Sequence, residues 1–469
     1  MEIINLDIAV GEIAGESYPV SAYYPPLGTE TEHRTIDTDS ELLASSLQWA
    51  NESSSVRRSS IEAAETLGSA LYDTLFGGKL GIFLDKVLQY SETQETGVRL
   101  RLSSGDPSIV SLPWEFLFHP QTGRLFATDQ TSMLTRYLSH YATFGRTRSL
   151  AAELPLRMLM VVPAVPDLDT TAEIERVRLA IEPEEDSQPT ILMTVLGGPD
   201  EIVPLPRLLD TLQNDEQGFD ILHFVGHGVS RGSRAFVRFN AAAGGETWLD
   251  SGVFARSLKP YALNQLRLAV LNTCESGARS ATVRGVTSLA GLAPDLIRNG
   301  FAAVIGMQYS VLDSASLEFS QAFYRALTCC DTTGQVDAAI TDARGRLATR
   351  FQGHRSFATP VLFLHTEDGH IFEFPSRDSE ETPRDEDASS SDPHLGFARR
   401  LDEKSEQDSL DERAELNTEM ASLKAKLRYL RSRRTRYGVR NRLDLFSEIV
   451  RTEERIEAIE RRLTTTRVP

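Results

Sequence analysis

The sequence holds few cysteines: three in 469 residues, two of them adjacent at Cys329 and Cys330. That number excludes a disulfide framework and fits a reducing compartment, so the expected location is cytoplasmic. No apolar run approaches the roughly 18 residues that span a bilayer, which excludes a membrane helix. The start, Met1-Glu2-Ile3-Ile4-Asn5-Leu6-Asp7, lacks the basic flank and apolar core of a signal peptide. No Gly-x-x-x-x-Gly-Lys loop and no tetratricopeptide array is present, so any sensing module is expected in another polypeptide. The metal inventory is thin as well. His223 and His227 are four apart, but they follow a strand pattern and lack the helix and glutamate that zinc peptidases need. No metal and no cofactor is expected.

Basic residues are outnumbered. Lys and Arg total 49 against 67 Asp and Glu, a net charge of −18. From Gly396 to Pro469 there are 18 basic and 14 acidic residues, a surplus of +4, so the preceding part carries −22. A body that acidic argues against binding to a nucleic acid backbone. It favours basic or neutral partners.

What is present is an ordered alternation. Residues 1–150 read as mixed strand and helix, with strands over Ile3–Val10 and Tyr18–Tyr24, helices over Ser60–Leu75 and Lys79–Tyr90, and a strand over Gly97–Leu102. This segment is expected to pack beside the following core. From Leu154 apolar strands alternate with helical segments. Strands are expected at Leu156–Val162, Thr190–Leu196, Ile221–Val225, Leu268–Leu271, Ala302–Met307 and Val361–Leu364, the last closing the sheet. Helices are expected over Ala172–Ile181, Leu205–Leu212, Val286–Arg298, Ser316–Leu327 and Gln335–Thr349, and a small outer hairpin near Ala235–Asn240. The pattern predicts an α/β fold with a mostly parallel sheet covered on both faces.

Residues 376–395 are acidic, rich in Ser and nearly free of large apolar side chains, which reads as a solvated linker. In 396–469, Leu416, Met420, Leu423, Leu427 and Leu430 step by four and three, as do Leu445, Ile449, Thr452, Ile456, Ile459 and Leu463. Tyr437-Gly438-Val439 interrupts them. Two heptad helices around a turn predict a coiled-coil hairpin for docking on a partner, a second copy or the body. Its arginines, Arg431 to Arg442, read as a solvated face or as contacts to an acidic partner or nucleic acid.

Two strand ends carry the chemistry. Phe219-Asp220-Ile221-Leu222-His223-Phe224-Val225 runs into Gly226-His227-Gly228. Leu266-Arg267-Leu268-Ala269-Val270-Leu271-Asn272-Thr273 runs into Cys274-Glu275-Ser276-Gly277. Ligands of open α/β sheets bind outside the carboxyl ends of the strands. Neighbouring strands would bring imidazole and thiol to one rim, the minimum for nucleophilic acyl transfer. The imidazole assists a thiol whose ordinary pKa is roughly 8.5, and later protonates the leaving amine. Gly226 and Gly228 leave the backbone bare, so the Gly228 and Cys274 N–H groups are candidate oxyanion donors. The competing reading is a buried inert cysteine with a structural histidine. His223 reads as a buried residue shaping the rim.

These residues resemble the caspase-like cysteine peptidases, the clan of caspases, legumains, separases and clostripain, and most closely the bacterial CHAT domain. The resemblance extends to Leu112-Pro113-Trp114-Glu115-Phe116-Leu117-Phe118, to Met133–Leu138, to Ala302–Asp313 and to Ala358–Leu364, spanning most of residues 1–375. It implies His227 as base and Cys274 as nucleophile, in a catalytic domain over 151–375. Asn272 stands where caspases place a substrate-facing glutamine; substrate contact and loop hydrogen bonding both remain open. Gln308 and Tyr309 are candidate pocket lining. Asp313 is either a pocket acid that favours a basic residue before the cut, or the N-cap of a helix starting near Ser314. The Gln-Ala-Cys-Arg caspase signature is absent, so aspartate specificity does not carry over.

Two leading functions follow. One is a cysteine endopeptidase that cleaves a partner protein within a bacterial defence or stress pathway, controlled by a protein partner or by self-association through the hairpin. The other is a non-catalytic adaptor that docks through the hairpin. An acyltransferase or amidase on the same dyad is a third. Retention of both thiol and imidazole favours the enzyme.

Overall fold

Four short apolar runs, β11 (Ile221–Val225), β15 (Leu268–Asn272), β16 (Ala303–Met307) and β17 (Pro360–Leu364), are buried along their whole length. Runs without polar alternation belong in a sheet covered on both faces. A computed structural model describes residues 1–37, 41–52, 60–138, 150–164, 169–183, 187–231, 234–272, 290–309, 312–329 and 333–374. Residues Met1–Arg377 form one compact unit. The linker over 376–395 and the hairpin over 396–469 lie outside the described residues.

The chain opens with β1 (Ile3–Val10), β2 (Tyr18–Tyr24) and β3 (Gly28–Arg34), then α1 (Glu41–Glu52), α2 (Ile61–Phe76) and α3 (Lys79–Thr93). β4 (Gly97–Ser104), α4 (Pro107–Val110), β5 (Phe118–His119), β6 (Arg124–Leu125), β7 (Ser132–Tyr137) and β8 (Leu150–Ala151) follow. Next come β9 (Leu156–Val162), α5 (Thr170–Ala180), β10 (Ile191–Gly197) and α6 (Leu205–Asn214). Beyond β11 lie β12 (Gly228–Arg231), β13 (Arg234–Asn240), β14 (Glu246–Asp250) and α7 (Ser251–Asn264). Beyond β15 lie α8 (Ala293–Arg298), then β16, α9 (Asp313–Thr328), α10 (Val336–Arg350), β17 and β18 (Phe372–Glu373).

One sheet of eleven strands runs β10-β9-β11-β15-β16-β17-β7-β4-β1-β2-β3. It contains two parallel blocks. The first, from β10 to β16, is parallel throughout. The second, β17-β7-β4-β1, is parallel within itself. They meet at the antiparallel pair β16–β17. β17 therefore does not close the sheet, as the sequence suggested. It lies between β16 and β7 and fuses the strands of residues 1–150 to the rest.

Helices cover both faces. Val177 of α5, Phe319 and Phe323 of α9, and Ile340 and Ala343 of α10 share one buried apolar core with Met158, Met160, Ile221 and Val270. Leu208 of α6, Phe254 of α7 and Leu296 of α8 share a second buried apolar core with Leu159, Val161, Leu222 and Phe224. The α/β class with a mostly parallel, doubly covered sheet is thus present. No helix among the described residues is long and apolar enough to cross a membrane.

Candidate active site

β11 and β15 are adjacent and parallel, with Ile221 opposite Leu268 and Val225 opposite Asn272. Both point their carboxyl ends at the same rim. Past that rim the Gly226 N–H donates to the Asn272 carbonyl at 3.2 Å. His227 follows in the turn, half-buried, before the chain enters β12.

The turn needs glycine at 226. A Cβ there would come within 2.8 Å of the Phe224 ring. That ring cannot easily move. It packs against Phe239 at 5.3 Å and Phe254 at 6.0 Å, which seats the small sheet β12-β13-β14 and α7 under β11.

The Arg238 N–H donates to the His227 carbonyl at 2.8 Å, and Gly228 stands opposite Val237. Hydrogen-bonded and non-bonded pairs alternate in an antiparallel ladder. The 227–238 pair is bonded, so the Gly228 N–H is directed away from β13. The buried Asn240 braces the same rim. Its Oδ1 accepts from the N–H groups of Ala164 and Val203, at 3.0 and 2.9 Å, and its amide donates to the Ala164 carbonyl at 2.7 Å.

Cys274 lies outside the described residues, as does everything from 273 to 289. Asn272 is buried, and its amide donates to Glu173 Oε2 at 3.2 Å and to Ser316 Oγ at 3.5 Å. Gln308 is buried between the two strand blocks. Its amide donates to Glu115 Oε2 at 2.9 Å and to the Ala358 carbonyl at 2.6 Å. Tyr309 is buried against Phe116, with the Arg355 guanidinium 4.9 Å from its ring centre. Burial pushes its hydroxyl pKa well above the ordinary value. Asp313 is the first residue of α9, and Leu312 takes the capping position. The helix starts one residue earlier than a cap at Asp313 requires.

The CHAT domain family model matches residues 65–425, well over half of the chain. The chain belongs to the CHAT domain family. No curated protein matches it. Among solved structures, a Saccharomyces cerevisiae separase–securin complex aligns at 12% identity and a TM-score of 0.43, covering 77% of this chain and 30% of that one. The complex of Porphyromonas gingivalis RgpB pro- and mature domains aligns at 11% identity and 0.35, covering 70% and 76%. The Drosophila initiator caspase Dronc aligns at 12% and 0.28, covering 48% and 86%. This CHAT chain therefore spans less than a third of the separase-complex chain with which it aligns.

Within the CHAT domain, the Leu112–Phe118 run has a physical task that the sequence did not disclose. Glu115 is 1% exposed. Arg136 of β7 forks onto it, Nε to Oε1 at 3.0 Å and Nη2 to Oε2 at 2.6 Å, and Arg344 of α10 lies 3.8 Å away. Burial alone would raise the carboxyl pKa, but the Arg136 and Arg344 charges outweigh it and hold it below the usual carboxylate range. Burial pulls Arg344 down to about 10. Glu115 and Gln308 thereby tie residues 1–150 to the strand next to β15.

His223 is the buried residue the sequence suggested. Its Nδ1 lies 2.6 Å from the Tyr324 hydroxyl of α9. Burial lowers its pKa to about 4, so the ring is neutral at pH 7. Glu173, Asn240 and Glu115 are the polar residues of this region that sequence reasoning missed. Each is a charged or amide side chain in a buried position, and burial is a tertiary property.

Proposed function

We propose that this chain is a cysteine endopeptidase of the CHAT type, with Cys274 as nucleophile and His227 as base, cleaving a partner protein. One observation carries the reading: β11 and β15 are neighbours in register, cross-linked from Gly226 to Asn272. In sequence, His227 lies two residues beyond Val225 and Cys274 two beyond Asn272. A continuation of that register by two residues would set imidazole beside thiol.

The chemistry follows from that pairing. His227 takes the Cys274 proton and the thiolate attacks the scissile carbonyl. The oxyanion is received by N–H groups at Gly228 and Cys274; the outward direction of the Gly228 N–H supports this. Collapse breaks the C–N bond, and the imidazolium gives its proton to the leaving amine. Water, deprotonated by the same imidazole, then hydrolyses the thioester and frees Cys274.

Asn272, Gln308 and Tyr309 act as a frame beneath the substrate groove, since their side chains are committed to protein partners. Asp313 is the acid proposed for the groove itself. Control by a protein partner, through residues 396–469 and within a bacterial defence or stress response, completes the proposal.

The test is labelling by a peptide-based thiol-reactive probe, with the modified residue located by mass spectrometry. Cys274 is expected to label well before Cys329, and His227→Ala to remove the difference. Equal labelling of all cysteines in both proteins would instead support the adaptor reading.

A further inference from the structure

Resting on the dyad proposed above, we infer that Glu173 is a positioning residue that acts through Asn272 to set the spacing of His227 and Cys274.

Glu173 stands in the first turn of α5, a place where an exposed carboxylate is ordinary. Here it is 1% exposed. An ionised carboxylate is costly to bury unless its partners are well placed. Its partners are specific. Oε1 is paired with Arg176, one turn along α5, and Oε2 accepts the Asn272 amide at 3.2 Å. Ser316 of α9 takes the same amide nitrogen at 3.5 Å.

Asn272 is therefore held from two helices through its side chain, while its backbone carbonyl receives the Gly226 N–H. The chain of contacts runs from Glu173 to the Asn272 amide, then from the Asn272 carbonyl to Gly226, whose next residue is His227. Asn272 is also two residues before Cys274. An apolar pair at 173 and 272 would pack at least as well. A hydrogen-bonded carboxamide fixes the direction of a strand end, which packing alone leaves loose.

The experiment reads Cys274 itself, in the full chain. The rate of Cys274 alkylation by iodoacetamide is followed against pH by peptide mass spectrometry. A thiol beside a well-placed imidazole reacts with an onset below the ordinary thiol range. Glu173→Ala and Asn272→Ala are each expected to slow alkylation at pH 7 about tenfold and to move the onset upward. The two together are expected to lose no more than either alone, because both act through one link.

Glu173→Ala also removes the ion pair with Arg176. A second variant, Glu173→Gln with Asn272→Asp, reverses donor and acceptor across the same contact. It is expected to recover the wild-type profile, whereas Asn272→Asp alone, which sets two carboxylates together, is not. Recovery would not follow from a merely structural loss.

His227→Ala separates the two claims. If it leaves the profile unchanged, the dyad reading fails. If it moves the onset upward while Glu173→Ala and Asn272→Ala do not, only the positioning role fails. Losses that multiply in the double alanine variant also overturn it.

Discussion

The Gly226 N–H and the Asn272 carbonyl lie 3.2 Å apart and join the ends of two parallel strands, one leading to His227 and the other to Cys274. The bond requires the chain to pass close over Phe224. Gly226→Ala is therefore expected to cost about 1–3 kcal/mol, because a Cβ would press on a ring already locked by Phe239 and Phe254. It should also slow alkylation of Cys274. Urea unfolding checks the first effect, and a midpoint equal to wild type would count against the close approach.

Glu115 is the carboxylate that faces two buried guanidinium groups. Glu115→Ala leaves Arg136 and Arg344 without it, and a loss of about 3–5 kcal/mol is expected. Removing both sides of the contact, Glu115→Leu with Arg136→Met, should cost less than Glu115→Ala alone. Denaturant titration of the three proteins decides this. Equal stability of Glu115→Ala and wild type would show that the ion cluster is not holding the two strand blocks together.

Stability should fall with acid through His223. The ring is neutral when folded, with a pKa of about 4 against an ordinary 6.5. Between those values the unfolded chain binds more protons, so stability is full above pH 6.5 and declines toward pH 4. The full effect of this one group is about 3 kcal/mol. His223→Gln keeps a polar atom for the Tyr324 hydroxyl and removes the titration. Its stability curve should be flatter over that window, and parallel curves would contradict the assignment.

A chain ending at Arg377 should fold cooperatively, since Met1–Arg377 forms one compact unit. Its thermal unfolding should resemble that of the full chain, and partner binding should be lost. Aggregation of the truncated chain on purification would mean that later residues complete the core.

Much of this architecture was legible locally. β1 and β2 match the sequence expectation residue for residue, and β11 and the start of β15 do too. Their apolar periodicity reflects burial that every neighbour imposes alike. α10 was placed within one residue at each end, by the same logic.

What failed to show was whatever depends on distant partners. α7 went unread because Gly252 and Pro260 break its pattern, although Asp250 caps it through the N–H groups of Gly252 and Val253. Gln308 could be assigned to a strand end, but its role is set by Glu115, 193 residues earlier in the chain. Glu173 stands in the first turn of α5, where a carboxylate is ordinarily solvated. Only the closure of α5 and α9 over β15 makes it a buried partner of Asn272. The place of β17 was hidden for the same reason, since its neighbour β7 lies more than two hundred residues away.

In the proposed function one thiol, Cys274, and one imidazole, His227, cut a peptide bond. The direct measurement is cleavage of a peptide library by the full chain, alone and with the proteins encoded beside it, comparing wild type with Cys274→Ala and His227→Ala. The proposed dyad requires new amine termini with wild type and none with either variant, each variant unfolding at the wild-type temperature. Undiminished cleavage by Cys274→Ala would contradict it.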